Sequence, residues 1–206
     1  MADAASTRPK IALTFDDGPS DATARIIDVL EETGSKATFY VLGERVAHHE
    51  RELKRMAAGG LQIGNHTWSH KFIQEIPADE LRRSISRTND AIRAACGVVP
   101  TTLRPPGGTW CDASLAILRE MGLPAVFWNV DPRDWATKDA QSTIDHVLEK
   151  AEDGRIVTMH DRYEQTANAA EVIVPALVSR GFDLLTVDEL AQNRGGMEPG
   201  ERYYGF

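Results

Sequence analysis

Two adjacent carboxylates, Asp16 and Asp17, end an apolar run and are followed by the turn residues Gly18 and Pro19. Neighbouring negative charges repel each other unless a cation or an arginine compensates them. A divalent metal held by one acid would do so, and it would leave the other acid free to act as a base. The alternative is a solvated turn, because Asp, Gly and Pro are common in turns for backbone reasons alone.

A pair of histidines, His66 and His70, directly follows the apolar stretch 61–64. Side chains four residues apart share one face of a helical turn, so both imidazoles could bind one metal ion. With one aspartate they would form a site of two histidines and one carboxylate, open to water and substrate, as catalytic zinc requires. Histidines also occur on surfaces without binding a ligand, and we interpret His48 and His49 in that way.

Polar clusters also follow three later apolar stretches, at 104–108, at 131–135 and from His160. Arg104 precedes two prolines and two glycines, which would fix the backbone and let a ligand approach closely. His160 is placed to act as an acid, with Asp161 beside it to fix its tautomer. A rigid turn and a buried histidine are the alternatives. They do not explain why five polar clusters follow five predicted strands.

Short apolar strands alternate with amphipathic helices, which is the pattern of a parallel sheet with crossover helices. The predicted strands cover 11–15, 37–41, 61–64, 101–104, 125–129, 155–159 and 183–186. The predicted helices cover 21–33, 44–58, 78–95, 112–121, 139–152 and 167–180. Ser20 or Asp21 would cap the first helix, and Gly34 would end it. This order indicates an α/β barrel smaller than the usual eightfold one, with its active site at the carboxyl ends of the strands.

The 206 residues carry a formal net charge of −8, which argues against nucleic acid or an anionic membrane as a partner. The arginines of the third predicted helix are interpreted as a solvated face, namely Arg82, Arg83, Arg87 and Arg93. No apolar run approaches the roughly 18 residues of a membrane span. Residues 1–9 lack the apolar core of a secretory signal, so we expect either a cytoplasmic protein or a chain that begins after a removed leader.

Two cysteines, Cys96 and Cys111, leave the redox compartment open. They fit equally a disulfide that closes a short loop and two unpaired thiols. Their spacing is not that of a zinc site.

Taken in order, five motifs resemble those of the polysaccharide deacetylase family, which is carbohydrate esterase family 4 with the NodB-homology domain. The motifs are Thr14-Phe15-Asp16-Asp17-Gly18-Pro19, His66-Thr67-Trp68-Ser69-His70, Arg104-Pro105-Pro106-Gly107-Gly108, Asp131-Pro132-Arg133-Asp134-Trp135 and Thr158-Met159-His160. The first two motifs are highly specific, and the last three are looser. The resemblance implies one domain, a distorted (β/α)7-8 barrel of the TIM-like kind over 10–192. A flexible segment, 1–9, would precede the barrel, and a tail, 193–206, would pack on it or be flexible.

The resemblance also implies a division of labour between the two acids. Asp17, His66 and His70 would hold one divalent metal ion, zinc in the first place, with cobalt or nickel as alternatives. Asp16 would be the general base. His160 would be the general acid that protonates the departing amine.

Further residues are assigned supporting roles by the same resemblance. Arg104 would act on Asp16 and Asp134 on His160, while Trp135 would wall the pocket for the acetyl methyl group. The backbone N–H of Gly107 would bind the oxyanion.

Two positions depart from the family pattern, because Gly107 replaces a usual tyrosine and Thr158 a usual leucine. The N–H survives at Gly107, but a side chain that borders the groove is lost. Trp110 either fills that space and contacts the substrate or packs under the loop. If Thr158 lines the acyl pocket, its hydroxyl makes the pocket more polar and affects acyl selectivity and rate.

The activity implied is that of a metal-dependent hydrolase which removes acetyl groups from N-acetylglucosamine residues of a β-1,4-linked polysaccharide, in chitin oligosaccharides or peptidoglycan. Water activated by the metal would attack the acetamide. An acetylxylan O-acetyl esterase with the same site, or a catalytically weakened carbohydrate-binding relative, are the alternatives. The expected partner is an acetylated polysaccharide or oligosaccharide, with no nucleic acid and no membrane span. We expect a monomer that is secreted or associated with the cell wall, with a cytoplasmic location as the alternative.

Overall fold

A computed structural model describes residues 8–206, so most of the expected N-terminal segment 1–9 lies outside the described residues. The strands of this part are β1 (Lys10–Asp16), β2 (Thr38–Val41), β3 (Gln62–Asn65), β4 (Ala125–Val126), β5 (Ile156–His160), β6 (Asp183–Leu184) and β7 (Arg202–Tyr203). The α-helices are α1 (Asp21–Thr33), α2 (Glu50–Ala58), α3 (Ala78–Cys96), α4 (Asp112–Glu120), α5 (Asp134–Thr137), α6 (Ala140–Lys150), α7 (Glu164–Ser179) and α8 (Val187–Gln192). Short 3₁₀ turns cover Gly43–His48 and Pro106–Gly108.

The sheet is parallel and is centred on β1, which pairs with β2, with β5 and, at its start, with β6. β2 pairs in turn with β3. Single-residue parallel bridges continue the ring from Asn65 to Leu103, from Leu103 to Ala125, and from Val130 to Val157. The single-domain, distorted (β/α) barrel expected from the sequence is therefore confirmed.

The first helix shows how the sequence specifies its own boundaries. The Ser20 side chain accepts a hydrogen bond from the N–H of Ala22, and Gly34 ends the helix in the left-handed conformation, with φ of 63°. Ile26 and Leu30 are fully buried against the sheet. The predicted cap and end of this helix are both confirmed.

Several elements differ from the expected ones; among them, α5 and α8 were not predicted, and β4 and β6 are shorter than the strands expected over 125–129 and 183–186. The predicted strand over 101–104 is reduced to two single-residue bridges, from Leu103 to Asn65 and to Ala125, and Pro105 and Pro106 have no N–H with which to continue the pairing toward the carboxyl end. The predicted helix over 44–58 is divided, since the backbone at His49 is not helical. Within the tail 193–206, Arg202–Tyr203 forms β7 and pairs with β4.

The carboxyl ends of the strands bring the polar motifs together at one end of the barrel. Asp16 is the last residue of β1, and His160 is the last residue of β5. The parallel register places Asp16 beside Tyr40 on one side and beside His160 on the other. Within residues 8–206, no helix combines the length and the apolar character needed to cross a membrane.

Candidate active site

A cleft of about 390 Å³ opens at this end of the barrel. Eight residues expected from the sequence line it: Asp16, Asp17, His66, His70, Gly107, Trp135, Thr158 and His160. Four further residues line it as well: Phe72, Trp128, Asp131 and Tyr163.

Asp17, His66 and His70 form a group that could hold a metal ion, because one potential ligand atom of each lies within 4.8 Å of the others. Oδ1 of Asp17 is 3.5 Å from Nε2 of His66 and 3.4 Å from Nε2 of His70. The same Oδ1 is buried and has no hydrogen-bond partner. A buried carboxylate oxygen that has no hydrogen-bond donor and lies close to two imidazole nitrogens forms with them a suitable set of ligands for a divalent cation.

The two histidines are presented by an irregular turn instead of the expected helical turn. Thr67 and His70 both have left-handed backbone conformations, with φ of 68° and 59°. The turn is held by Asn65, whose side-chain oxygen accepts a hydrogen bond from the N–H of Thr67 at 2.7 Å. Nδ1 of His66 lies 2.8 Å from the carbonyl oxygen of Arg104. Donation of that N–H leaves the Nε2 lone pair of His66 facing Asp17.

The protonation of this group suits metal binding. Burial alone would raise the pKa of Asp17, but the neighbouring His66 and His70 lower it well below the usual range. Burial and the proximity of His66 lower the pKa of His70. A carboxylate and a neutral imidazole are the forms that bind a cation.

Asp16 is buried and is held by different partners. Nη1 of Arg104 donates to Oδ1 of Asp16 at 2.9 Å, and the hydroxyl of Thr158 donates to Oδ2 at 3.2 Å. Arg104 is itself fully buried, with donors directed to the carbonyl oxygens of Val126 and Phe127 at 3.3 and 2.9 Å. Arg104 therefore compensates the charge of Asp16, while Asp17 faces the histidines.

His160 is held by Asp134, which lies at the start of α5 and is fully buried. The carboxylate of Asp134 lies 2.8 Å from Nδ1 of His160 and accepts the His160 backbone N–H at 2.8 Å. The hydroxyl of Thr166 also donates to this carboxylate, at 2.6 Å. Burial opposes the imidazolium, but Asp134 outweighs it and raises the pKa of His160 to about 9.

Asp161 does not have the role that its place beside His160 suggests. Its side chain turns away and accepts a hydrogen bond from the hydroxyl of Thr23 in α1, at 2.5 Å. Burial raises the pKa of Asp161 to about 7. Asp134, which is distant in sequence, fixes the His160 ring instead.

Gly107 lines the cleft with a left-handed backbone, at φ of 62°. The N–H groups of Gly108 and Thr109 donate to carbonyl oxygens within the turn, whereas that of Gly107 has no such acceptor among the described residues. A Cβ at position 107 would lie 2.8 Å from the ring of Phe72. The space beside Gly107 is therefore occupied by Phe72, whose ring is also edge-on to His70 at 6.1 Å.

The structure places Trp110 outside the cleft. Its ring packs against the apolar cluster around Leu103 and Leu118, and the guanidinium of Arg202 lies 3.9 Å from the ring centre. Trp135, in contrast, lines the cleft with 45% of its surface exposed. Cys96 and Cys111 are both free thiols.

The cleft residues not expected from the sequence have weak sequence signals. Phe72 and Tyr163 follow His70 and His160 by two and three residues, on the same loops. Trp128 lies two residues after the end of β4. Apolar and aromatic residues at such positions are also common in cores, so position alone could not identify them.

Known proteins are similar to this chain in sequence and in structure. A family model described as Polysaccharide deacetylase matches residues 3–126. The peptidoglycan-N-acetylmuramic acid deacetylase PdaC of Bacillus subtilis (strain 168) is 39% identical over 183 residues, which cover 88% of this chain and 38% of that protein. The chain thus spans about two fifths of the length of the first curated relatives that it matches.

Other relatives are matched over nearly their whole length. The chitooligosaccharide deacetylase of Bradyrhizobium sp. (strain ANU 289) is 35% identical, over 91% of this chain and 93% of that protein. Among solved structures, a family 4 acetyl xylan esterase from Clostridium thermocellum in complex with a cobalt ion superposes with a TM-score of 0.88 and 33% identity. That match covers 95% of this chain and 98% of the esterase chain.

Proposed function

Because this chain belongs to the polysaccharide deacetylase family, we propose that it is a metal-dependent hydrolase that removes acetyl groups from N-acetylglucosamine residues of a β-1,4-linked polysaccharide. Peptidoglycan and chitin oligosaccharides are the substrate classes that the relatives' names suggest. Such polymers lie outside the cytoplasmic membrane, so we propose that the protein works there or at the cell wall.

The observation that carries the proposal is the separation of the two adjacent acids. Asp17 faces His66 and His70, while Asp16 faces Arg104. Asp17 and the two histidines would hold the cation, for which two nitrogen ligands and one oxygen ligand favour zinc, with cobalt or nickel as alternatives. Asp16 stays outside this set of ligands and is available to accept a proton.

The chemistry that a divalent cation supplies in such a site is polarisation of a carbonyl group and acidification of water. Asp16 would accept the proton of the water that attacks the acetyl carbon. As the new C–O bond forms, the carbonyl oxygen gains negative charge and would accept the N–H of Gly107. His160, held as an imidazolium by Asp134, would give its proton to the nitrogen as the C–N bond breaks. The products are acetate and a free amine.

The walls of the cleft suit a small acyl group on a sugar. Trp128 and Trp135 line it together with Thr158 and Phe72. Aromatic rings of this kind bind the apolar parts of a ligand, while a few polar groups orient it. The Thr158 hydroxyl is engaged by Asp16, so its polarity is directed to the proposed base.

An acetylxylan esterase is the second candidate, because the Clostridium thermocellum neighbour is named as one. The Asp134–His160 pair favours the N-deacetylase, because it can supply a proton to the leaving group. The nitrogen of an amide is a poor leaving group unless it is protonated, whereas the oxygen of an ester leaves more readily without a proton. A binding relative without turnover is disfavoured, because the described cleft holds a candidate acid, a candidate base and a ligand set for a cation.

Acetate release tests the proposal. Protein treated with a chelator, and protein reloaded with zinc or cobalt, would be assayed on N-acetylglucosamine oligomers, peptidoglycan glycan strands and acetylxylan. We expect release that depends on the metal and is faster on the N-acetylated substrates. Release from acetylxylan alone would establish the esterase instead, and saccharide binding that survives chelation without acetate release would establish the binding relative.

A further inference from the structure

The arginines of α3 divide into two pairs with different surroundings. Arg82 forms ion pairs with Asp79 and Glu120, and Arg93 forms one with Asp90. Arg83 and Arg87 form no ion pair with any carboxylate in residues 8–206, although the chain as a whole carries a net charge of −8. These two cations, four residues apart on one face of the helix, are therefore available to another anion.

Arg83 and Arg87 line a hollow of about 280 Å³ between α3 and the loop that follows β3. The guanidinium carbon of Arg87 lies over the ring of Trp68, 3.5 Å from its centre. A cation–π contact of this kind holds a guanidinium in place and does not use its N–H groups as hydrogen-bond donors to a carboxylate. The two walls are joined, because the backbone N–H of Trp68 donates to the hydroxyl of Ser84 at 2.8 Å.

The hollow contains little negative charge of its own. Among the described residues, Glu80 is the one carboxylate that lines it, and Lys71 binds Glu80 at 2.7 Å. Lys71 thus neutralises Glu80, and Arg83 and Arg87 give the hollow a net positive charge. On an otherwise acidic protein, such a hollow attracts an anionic group locally.

The hollow is next to the active-site cleft along the chain and on the surface. Ser69 and Lys71, which line the hollow, flank His70, which lines the cleft. A shallow depression that includes His70, Lys71 and Phe72 connects the two. A ligand that places one sugar in the cleft can therefore extend across this loop toward Arg83 and Arg87.

We propose that this hollow binds a carboxylate of the polysaccharide substrate, and that the preferred substrate is an anionic glycan instead of a neutral one. Two arginines on one helix face can bind a carboxylate through several N–H groups. Peptidoglycan strands without stem peptides fit this chemistry, because the lactyl carboxylates of their muramic acid residues are then free, whereas chitin oligomers carry no carboxylate. The inference rests on the proposed deacetylase function.

The test compares one variant and one matched control on two substrates. Arg83→Gln/Arg87→Gln removes the two unpaired cations, and Arg82→Gln/Arg93→Gln removes two cations of the same helix that are already paired. The substrates are peptide-free peptidoglycan strands and the same strands with their carboxylates methyl-esterified. We expect Arg83→Gln/Arg87→Gln to lower kcat/KM on the free-acid strands about tenfold and on the ester about twofold or less. The control should change neither substrate by more than about twofold.

Binding measured by calorimetry separates failure of this inference from failure of the proposed function. If the wild-type protein releases no acetate but still binds the free-acid strands more tightly than the ester, and loses this difference in Arg83→Gln/Arg87→Gln, the anion site stands and the deacetylase proposal fails. Equal affinity of the wild-type protein for both strands would overturn the anion site. So would an equal loss on both substrates in Arg83→Gln/Arg87→Gln.

Discussion

The hydroxyl of Thr158 lies 3.2 Å from Oδ2 of Asp16, while Arg104 binds Oδ1 of the same carboxylate at 2.9 Å. Both oxygens of the proposed base therefore have a fixed donor, one neutral and one charged. Thr158 is also within 3.4 Å of Nη1 of Arg104, so its hydroxyl can accept from one partner and donate to the other. The unusual threonine of the fifth motif is thus part of the arrangement that orients Asp16.

Thr158→Val tests this orienting role. Valine keeps the shape and removes the hydroxyl, so Asp16 loses one hydrogen bond in a buried site. We expect kcat to fall about three- to tenfold with little change in KM, which corresponds to the roughly 1 kcal/mol of one such bond. Thr143→Val is the matched control, because Thr143 is buried and its hydroxyl donates to the Asp139 carbonyl, away from the cleft. An unchanged kcat in Thr158→Val would contradict the role.

The Asp134–His160 pair predicts how activity depends on pH. His160 must carry its proton to act as an acid, so kcat/KM falls as pH rises through its pKa. Asp134 raises that pKa from the ordinary 6.5 to about 9, and a bound cation would lower it again, so the alkaline limb is expected between these values.

Asp134→Asn should move this limb to lower pH, because the partner that favours the imidazolium loses its charge. The measurement is a pH profile of kcat/KM for the metal-loaded wild-type protein and the variant. Asp131→Asn is a comparison variant, since Asp131 lines the same cleft without contacting His160 through a hydrogen bond. An alkaline limb that does not move in Asp134→Asn would show that another group is the acid.

The close contact between Phe72 and position 107 predicts that a substitution at Phe72 compensates one at Gly107. Gly107→Ala places a Cβ 2.8 Å from the Phe72 ring. It also puts a residue with a side chain into a left-handed backbone conformation. Gly97→Ala is the control for the backbone alone, because Gly97 has φ of 79° and nothing within 4 Å of the added Cβ. We expect Gly97→Ala to cost about 1 kcal/mol of unfolding free energy and to leave activity unchanged.

Gly107→Ala should cost more than Gly97→Ala and should also lower kcat, because the clash displaces the N–H proposed to bind the oxyanion. Phe72→Ala in the same chain should recover part of both losses. Urea unfolding and acetate release measure the two effects. If Phe72→Ala adds to the losses instead, the two residues do not compete for one space.

Local signals made much of the fold predictable. The cap at Ser20, the end at Gly34 and the buried stripe of α1 depend on neighbours in sequence, as does the run of β1 that ends at Asp16. The prediction of a strand over 101–104 was wrong, because strand pairing depends on partners elsewhere in the chain. Within 101–104, only Leu103 forms β-bridges to such partners. The pairing of Arg202–Tyr203 with β4 has no local signal at all.

The site was predictable in its residue types and less so in its contacts. Asp17, His66 and His70 converge as their motifs indicate. The partner of His160 depends on a contact between β5 and α5, so its sequence neighbour Asp161 was a misleading guide, whereas the family resemblance had assigned Asp134. Trp110 and Phe72 show the same limit: each is an aromatic near a motif, and only packing decides that Phe72 lies beside Gly107.

The central claim, that Asp16 is the base while Asp17 binds the cation, is tested most directly by Asp16→Asn. Wild-type protein and variant would be loaded with zinc, their metal content and thermal unfolding measured, and acetate release from peptidoglycan strands compared. We expect equal metal content, because Asp16 does not face the histidines, and a kcat lower by about a hundredfold or more. Some loss of thermal stability is expected too, since Arg104 loses its buried counter-charge. Full activity in a folded, metal-loaded Asp16→Asn protein would contradict the account.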